Sequence, residues 1–198
     1  GWTIRLAWKS ATFNRMREAL IRFAYDPEAV DNGIMRRFLG SGELPKNRSG
    51  WALTEGTVYV PGLPLLNPSQ EEAVRHVLKR RLSLIQGPPG TGKTVTSAAI
   101  VYFLAKALAQ RSAASGYKKR EAVLVVAPSN VAADNLTERI QATGLRVIRV
   151  AARCREETQS SVDHLTLHEL LRNSTAHPEL VSLLAIKEAT GHLTKSQN

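Results

Sequence analysis

A chain of 198 residues with 43% hydrophobic content is long enough to bury a sizeable core, and its single cysteine, Cys154, excludes a disulfide framework or a cysteine-built zinc site within the chain. Lysine and arginine outnumber aspartate and glutamate 27 to 17, a net charge of +10, which either suits a polyanion such as RNA or DNA or marks a solvated basic surface. No uninterrupted apolar run is long enough to span a membrane, and Gly1-Trp2-Thr3-Ile4-Arg5 lacks the regions of a signal peptide, so a soluble intracellular protein without a membrane partner is expected.

In chain order, Trp2 to Trp8 alternates like a strand end. Ser10 or Thr12 then caps an amphipathic helix carrying Phe13, Met16, Leu20, Ile21 and Ala24, interrupted at Asp26-Pro27. A shorter helix over 29–39, a loop over 40–50, an extended stretch over 51–60 and a Pro61-Gly62-Leu63-Pro64 turn follow. From Leu65 onward the pattern is α/β. Asn67 caps a helix over 68–80 with Pro68 at its first position and Gln70 three residues after the cap. Apolar strands are expected over 82–86, 122–127 and 145–150. Between them stand a helix leaving the glycine-rich loop and running to about Ala109, and another over 131–141 stopped by Gly144. This alternation predicts a parallel sheet covered on both faces. Beyond Arg153, helices over 162–172 and 178–189 are expected.

The run Gly87-Pro88-Pro89-Gly90-Thr91-Gly92-Lys93-Thr94 matches G-x-x-x-x-G-K-[ST] at every fixed position, between an apolar strand and a helix. Glycines let successive N–H groups converge on phosphate oxygens, and the helix N-terminus adds partial positive charge. Lys93 is placed to reach the β- and γ-phosphates and the Thr94 hydroxyl to hold Mg²⁺, so ATP with Mg²⁺ is the expected ligand. The alternative, a glycine-rich turn with a solvated lysine, leaves the spacing and context unexplained.

Three segments in order carry a resemblance: Leu66 to Val74, then Leu84 to Thr94, then Val126 to Leu136 with its Pro128-Ser129-Asn130. Together they are similar to superfamily 1 helicases, and more narrowly to the up-frameshift RNA helicases of nonsense-mediated mRNA decay. Ala7-Trp8-Lys9-Ser10, Val147 to Val150, Leu165 to His168 and Arg172-Asn173 extend the likeness. The resemblance implies a RecA-like P-loop NTPase that hydrolyses ATP and moves 5′ to 3′ along single-stranded RNA, or DNA, as a cytoplasmic monomer with mRNA-decay protein partners. Gln70 matches the glutamine that such helicases use for adenine; its alternative role is the helix cap with Asn67. The nucleotide set is then Gln70 with Gly87, Pro88, Pro89, Gly90, Thr91, Gly92, Lys93, Thr94 and Val95. In the family Pro128, Ser129 and Asn130 contact single-stranded nucleic acid; the alternative is an ordinary helix cap. Arg149, Arg153 and Arg155 either line that path or are solvated. His164 and His168, four residues apart, give a zinc cue that no neighbouring ligand supports.

The sequence also departs from the family. A basic loop over 111–120 is longer than expected, and no apolar strand after Lys93 ends in an Asp-Glu pair. The second motor domain with its arginine fingers and the Cys/His-rich zinc region are absent from these residues. The expectation is therefore a helicase fragment or truncated copy: 1–60 the end of an accessory β-barrel and stalk helices, 61–155 the front of a first RecA-like domain, and 156–198 the start of a helical insertion. Its rival is a nucleotide- and RNA-binding piece without turnover. A P-loop kinase or GTPase would need an acceptor site or a guanine-reading motif, and neither is visible.

Overall fold

The computed structural model describes residues 10–26, 40, 58–115, 121–150 and 160–172. The expected strand end over 2–8, the helices over 29–39 and 178–189, and Arg153 and Arg155 lie outside them. Contacts divide the chain into two compact units, Gly1–Gly50 with Lys79–Leu84, and Trp51–Leu78 with Ile85–Asn198. In the first, helix α1 spans Ser10–Tyr25, as the apolar spacing predicts. Its stripe is formed, and Phe13, Met16 and Leu20 on it are exposed.

The second unit is built around α2 (Pro68–Lys79) and α3 (Lys93–Ser115). Proline begins α2 because its fixed φ suits the first turn and its missing N–H costs nothing there. The core joins Val58, Val60 and Leu66 to Val74 and Leu78 of α2 and Ala99 and Ile100 of α3, with Val95, Phe103 and Leu104 packed against it. Val74 is fully buried, and burying such a side chain contributes about 1.5–3 kcal/mol. Gly62 turns the chain beside this core with φ +72, so close to α4 (Asn130–Ala142) that a Cβ there would stand 1.8 Å from the Ala142 carbonyl oxygen. α3 continues through Arg111–Ser115, so the first half of the expected basic loop is helical, in keeping with the helix-forming Arg and Ala residues there. α4 packs against α3 and ends at a Thr143 cap followed by Gly144 with φ +81. A 3₁₀ turn, Asp163–Leu165, leads into the short α5, Leu167–Arg172.

The expected strands are a correction. Among the described residues no strand ladder forms over 82–86 or 122–127, and Leu84 and Leu124 are 94% and 87% exposed. An apolar run becomes a parallel strand only where neighbours accept its hydrogen bonds and helices cover its faces, and such neighbours are not met among these residues. The third run does pair at one point: Arg149 forms a parallel bridge with Thr166, its N–H donating to the Leu165 carbonyl at 2.7 Å and its carbonyl accepting from the Leu167 N–H at 3.1 Å.

Candidate nucleotide and nucleic-acid site

The glycine-rich loop runs directly into the N-terminus of α3. Gly90 and Gly92 take φ +80 and +78, backbone that side-chain-bearing residues rarely adopt, and these two positions turn the loop over the helix end. The Lys93 ammonium folds back, donating to the carbonyls of Gly87 at 2.8 Å and Pro88 at 2.7 Å. Thr91 closes the same turn, its hydroxyl donating to the Pro88 carbonyl at 2.8 Å. Thr94 is exposed in the first turn of α3, and Val95 packs against the core.

Gln70 stands on α2 against this loop. Its N–H donates to Asn67 Oδ1 at 2.9 Å and its Oε1 accepts from the Asn67 N–H at 3.0 Å, a reciprocal cap. Its Nε2 donates to the Thr91 carbonyl at 3.0 Å. Both bonds of the cap alternative are therefore present, and the same amide also reaches the phosphate loop. The loop contact escapes a sequence reading because it spans 21 positions and depends on Gly92 having no side chain.

The residues fit a magnesium nucleotide. A helix N-terminus, a glycine turn and a lysine form a cradle of donors. Among the described residues no group of three or more His, Cys, Asp or Glu comes together for a metal. Mg²⁺ needs none: one hydroxyl such as that of Thr94, phosphate oxygens and water meet its octahedral demand. The zinc cue has no support there either; His164 Nε2 lies 3.1 Å from Gln141 Nε2, and the His168 side chain is outside the described residues.

Pro128, Ser129 and Asn130 are exposed at the start of α4. Ser129 is its N-cap, with Oγ accepting from the Ala132 N–H at 3.2 Å. Arg149 does not lie on an open basic path. Its side chain is 11% exposed and pairs with Asp134, 10% exposed, through Nε and Oδ1 at 2.9 Å. Asp134 shares the buried face of α4 with Thr137 and Ile140. An acidic residue three and six positions from such neighbours was the signal that a basic partner had to turn inward.

Comparison with known proteins gives the family. The model of the AAA domain matches residues 65–198. The chain is 46% identical over 193 residues to the ATP-dependent helicase upf1 of Schizosaccharomyces pombe, covering 98% of this chain and 20% of that protein. It is 45% identical to a regulator of nonsense transcripts 1 homolog of Drosophila melanogaster (98% and 16%) and 41% identical to the ATP-dependent helicase NAM7 of Saccharomyces cerevisiae (99% and 19%). The chain thus spans a fifth or less of the length of these relatives. Its fold is that of a P-loop NTPase, and the chain belongs to the AAA-domain family, in the group that includes upf1, NAM7 and the regulators of nonsense transcripts 1.

Proposed function

We propose that the chain is the nucleotide-binding and nucleic-acid-gripping front of an ATP-dependent RNA helicase acting in nonsense-mediated mRNA decay. The observation that carries this reading is the loop itself: two left-handed glycines deliver Lys93 and Thr94 to the exposed first turn of a long helix that packs into the core, the arrangement a triphosphate needs. The printed names of the relatives, ATP-dependent helicase and regulator of nonsense transcripts, supply the reaction and its setting. Backbone N–H groups of the loop and Lys93 hold the β- and γ-phosphates, Thr94 holds Mg²⁺, and Gln70 exchanges its loop bond for adenine. Mg²⁺ held there would supply positive charge to neutralise the phosphates. Ser129 and Asn130 donate to the sugar-phosphate backbone of single-stranded RNA, or DNA, moved 5′ to 3′.

In this reading the RecA-like domain occupies 61–155, after barrel-end and stalk residues 1–60 and before a helical insertion starting at 156. The natural protein works as a cytoplasmic monomer with mRNA-decay partners and is not membrane-bound; among the described residues no helix is long and apolar enough to cross a bilayer. The test is phosphate release by the natural full-length protein with and without single-stranded RNA, beside Lys93→Ala. RNA-stimulated release lost in Lys93→Ala supports the reading, and release unchanged by that substitution refutes it.

A second reading applies to these 198 residues alone. No apolar strand after Lys93 ends in an acidic pair to position the attacking water, so the isolated chain binds nucleotide and RNA without turnover.

A further inference from the structure

Arg149 is held from several sides. Its backbone is clamped by the bridge to Thr166, and its Nε by Asp134, whose other oxygen accepts from Ser160 Oγ at 3.0 Å. The guanidinium then reaches across to α4: Nη2 donates to Asn130 Oδ1 at 3.2 Å, while Nη1 donates to the Val150 carbonyl. A guanidinium carries donors only, so the Asn130 atom that meets it has to be the carbonyl oxygen. The amide orientation is thereby decided. Nδ2, with both of its hydrogens, is left for an acceptor outside this network. Beside it the Ser129 oxygen is occupied by the Ala132 N–H, which leaves the hydroxyl hydrogen to donate.

We propose that Arg149 is a positioning residue for phosphodiester binding. Anchored on Asp134, it fixes the Asn130 amide so that Nδ2 donates to a backbone phosphate oxygen of single-stranded nucleic acid, next to the Ser129 hydroxyl. The inference rests on the reading of Pro128-Ser129-Asn130 as a backbone grip and adds what sets that grip. A neutral amide that can rotate offers a phosphate its oxygen as readily as its nitrogen, and an oxygen facing a phosphate repels it. Arg149 removes that second orientation.

The test is a double-mutant cycle in the natural full-length protein, read by anisotropy of a labelled single-stranded uridine oligonucleotide. Affinity for ADP, measured alongside, reports on the fold. Asn130→Ala and Arg149→Lys are each expected to weaken oligonucleotide binding about tenfold, as for one hydrogen bond to a charged group. The double variant is expected to be no weaker than either, because the two act as one unit. Arg149→Lys keeps the positive charge and the slope of affinity against salt, so a loss there reflects lost geometry and not a lost phosphate contact. Affinity unchanged in Arg149→Lys while Asn130→Ala weakens binding, or additive losses of about a hundredfold, overturns the proposal and leaves the backbone grip standing. Affinity unchanged in Asn130→Ala removes the grip and the proposal together. Should Arg149→Lys lose ADP binding, Asn130→Asp decides: it keeps an oxygen for Arg149 and loses the donor. It is expected to melt no lower than wild type while losing the oligonucleotide; a melting temperature as low as that of Asn130→Ala overturns the proposal.

Discussion

The Gln70 amide nitrogen lies where a Cβ on Gly92 would stand only 2.5 Å from it, and from there it donates to the Thr91 carbonyl at 3.0 Å. The first turn of α2 and the phosphate loop are thus locked together by one side chain and one missing side chain. Gly92→Ala is expected to displace Gln70 and to force an L-residue to φ +78, at a cost of about 1–2 kcal/mol from the backbone alone. Titration with a fluorescent ADP analogue checks this: nucleotide affinity falls at least about tenfold if the lock matters, and wild-type affinity in Gly92→Ala would show that the loop tolerates its loss.

Gln70→Ala separates two roles of one amide. Losing the reciprocal cap with Asn67 lowers stability by about 1 kcal/mol, whichever nucleotide is bound. If Gln70 also meets adenine, ATP affinity falls more than that of a non-adenine triphosphate. Equal losses for both nucleotides would restrict Gln70 to the cap and the loop.

The cap and the loop were legible in sequence for different reasons. Asn67, Pro68 and Gln70 make a cap from bonds three residues apart, and the loop is fixed by glycine, lysine and threonine at set spacings, so local chemistry sufficed for both. Among the described residues the helices over 68–80 and 131–141 followed from caps and apolar spacing, whereas the helix expected to end near Ala109 runs on to Ser115 because nothing in Arg111–Ser115 breaks it. Sheet formation was not legible in the same way. The run over 122–127 has the composition of a strand, yet pairing depends on partners far away in the chain, and none meets it among the described residues. Neither alternative for Arg149, lining the path or standing solvated, anticipated its pairing, because that depends on Asp134, fifteen positions earlier, sharing the buried face of α4.

Gly62→Ala tests the packing of the turn before α2. The added Cβ would meet backbone, the Ala142 carbonyl, and at φ +72 the chain cannot ease away without strain. A loss of about 2–4 kcal/mol is expected, from the left-handed backbone and overpacking together. Urea unfolding gives the number, and a loss below about 0.5 kcal/mol would mean that the turn and the end of α4 are not packed as described.

Leu78→Ala tests the core itself. Leu78 is almost fully buried between the 58–66 segment and α3, so its truncation is expected to cost about 2–5 kcal/mol. An effect typical of surface substitutions, within about 0.5 kcal/mol, would contradict this core.

The measurement that bears most directly on the account is equilibrium binding of ATP and ADP, with Mg²⁺, to this chain and to its Lys93→Ala variant. Both proteins are checked for the same thermal unfolding, since Lys93 also ties the Gly87 and Pro88 carbonyls. Saturable, magnesium-dependent binding is expected, and it is lost, or weakened at least about a hundredfold, in Lys93→Ala, because a charge-assisted phosphate contact is removed. Equal nucleotide binding by the two proteins would contradict it.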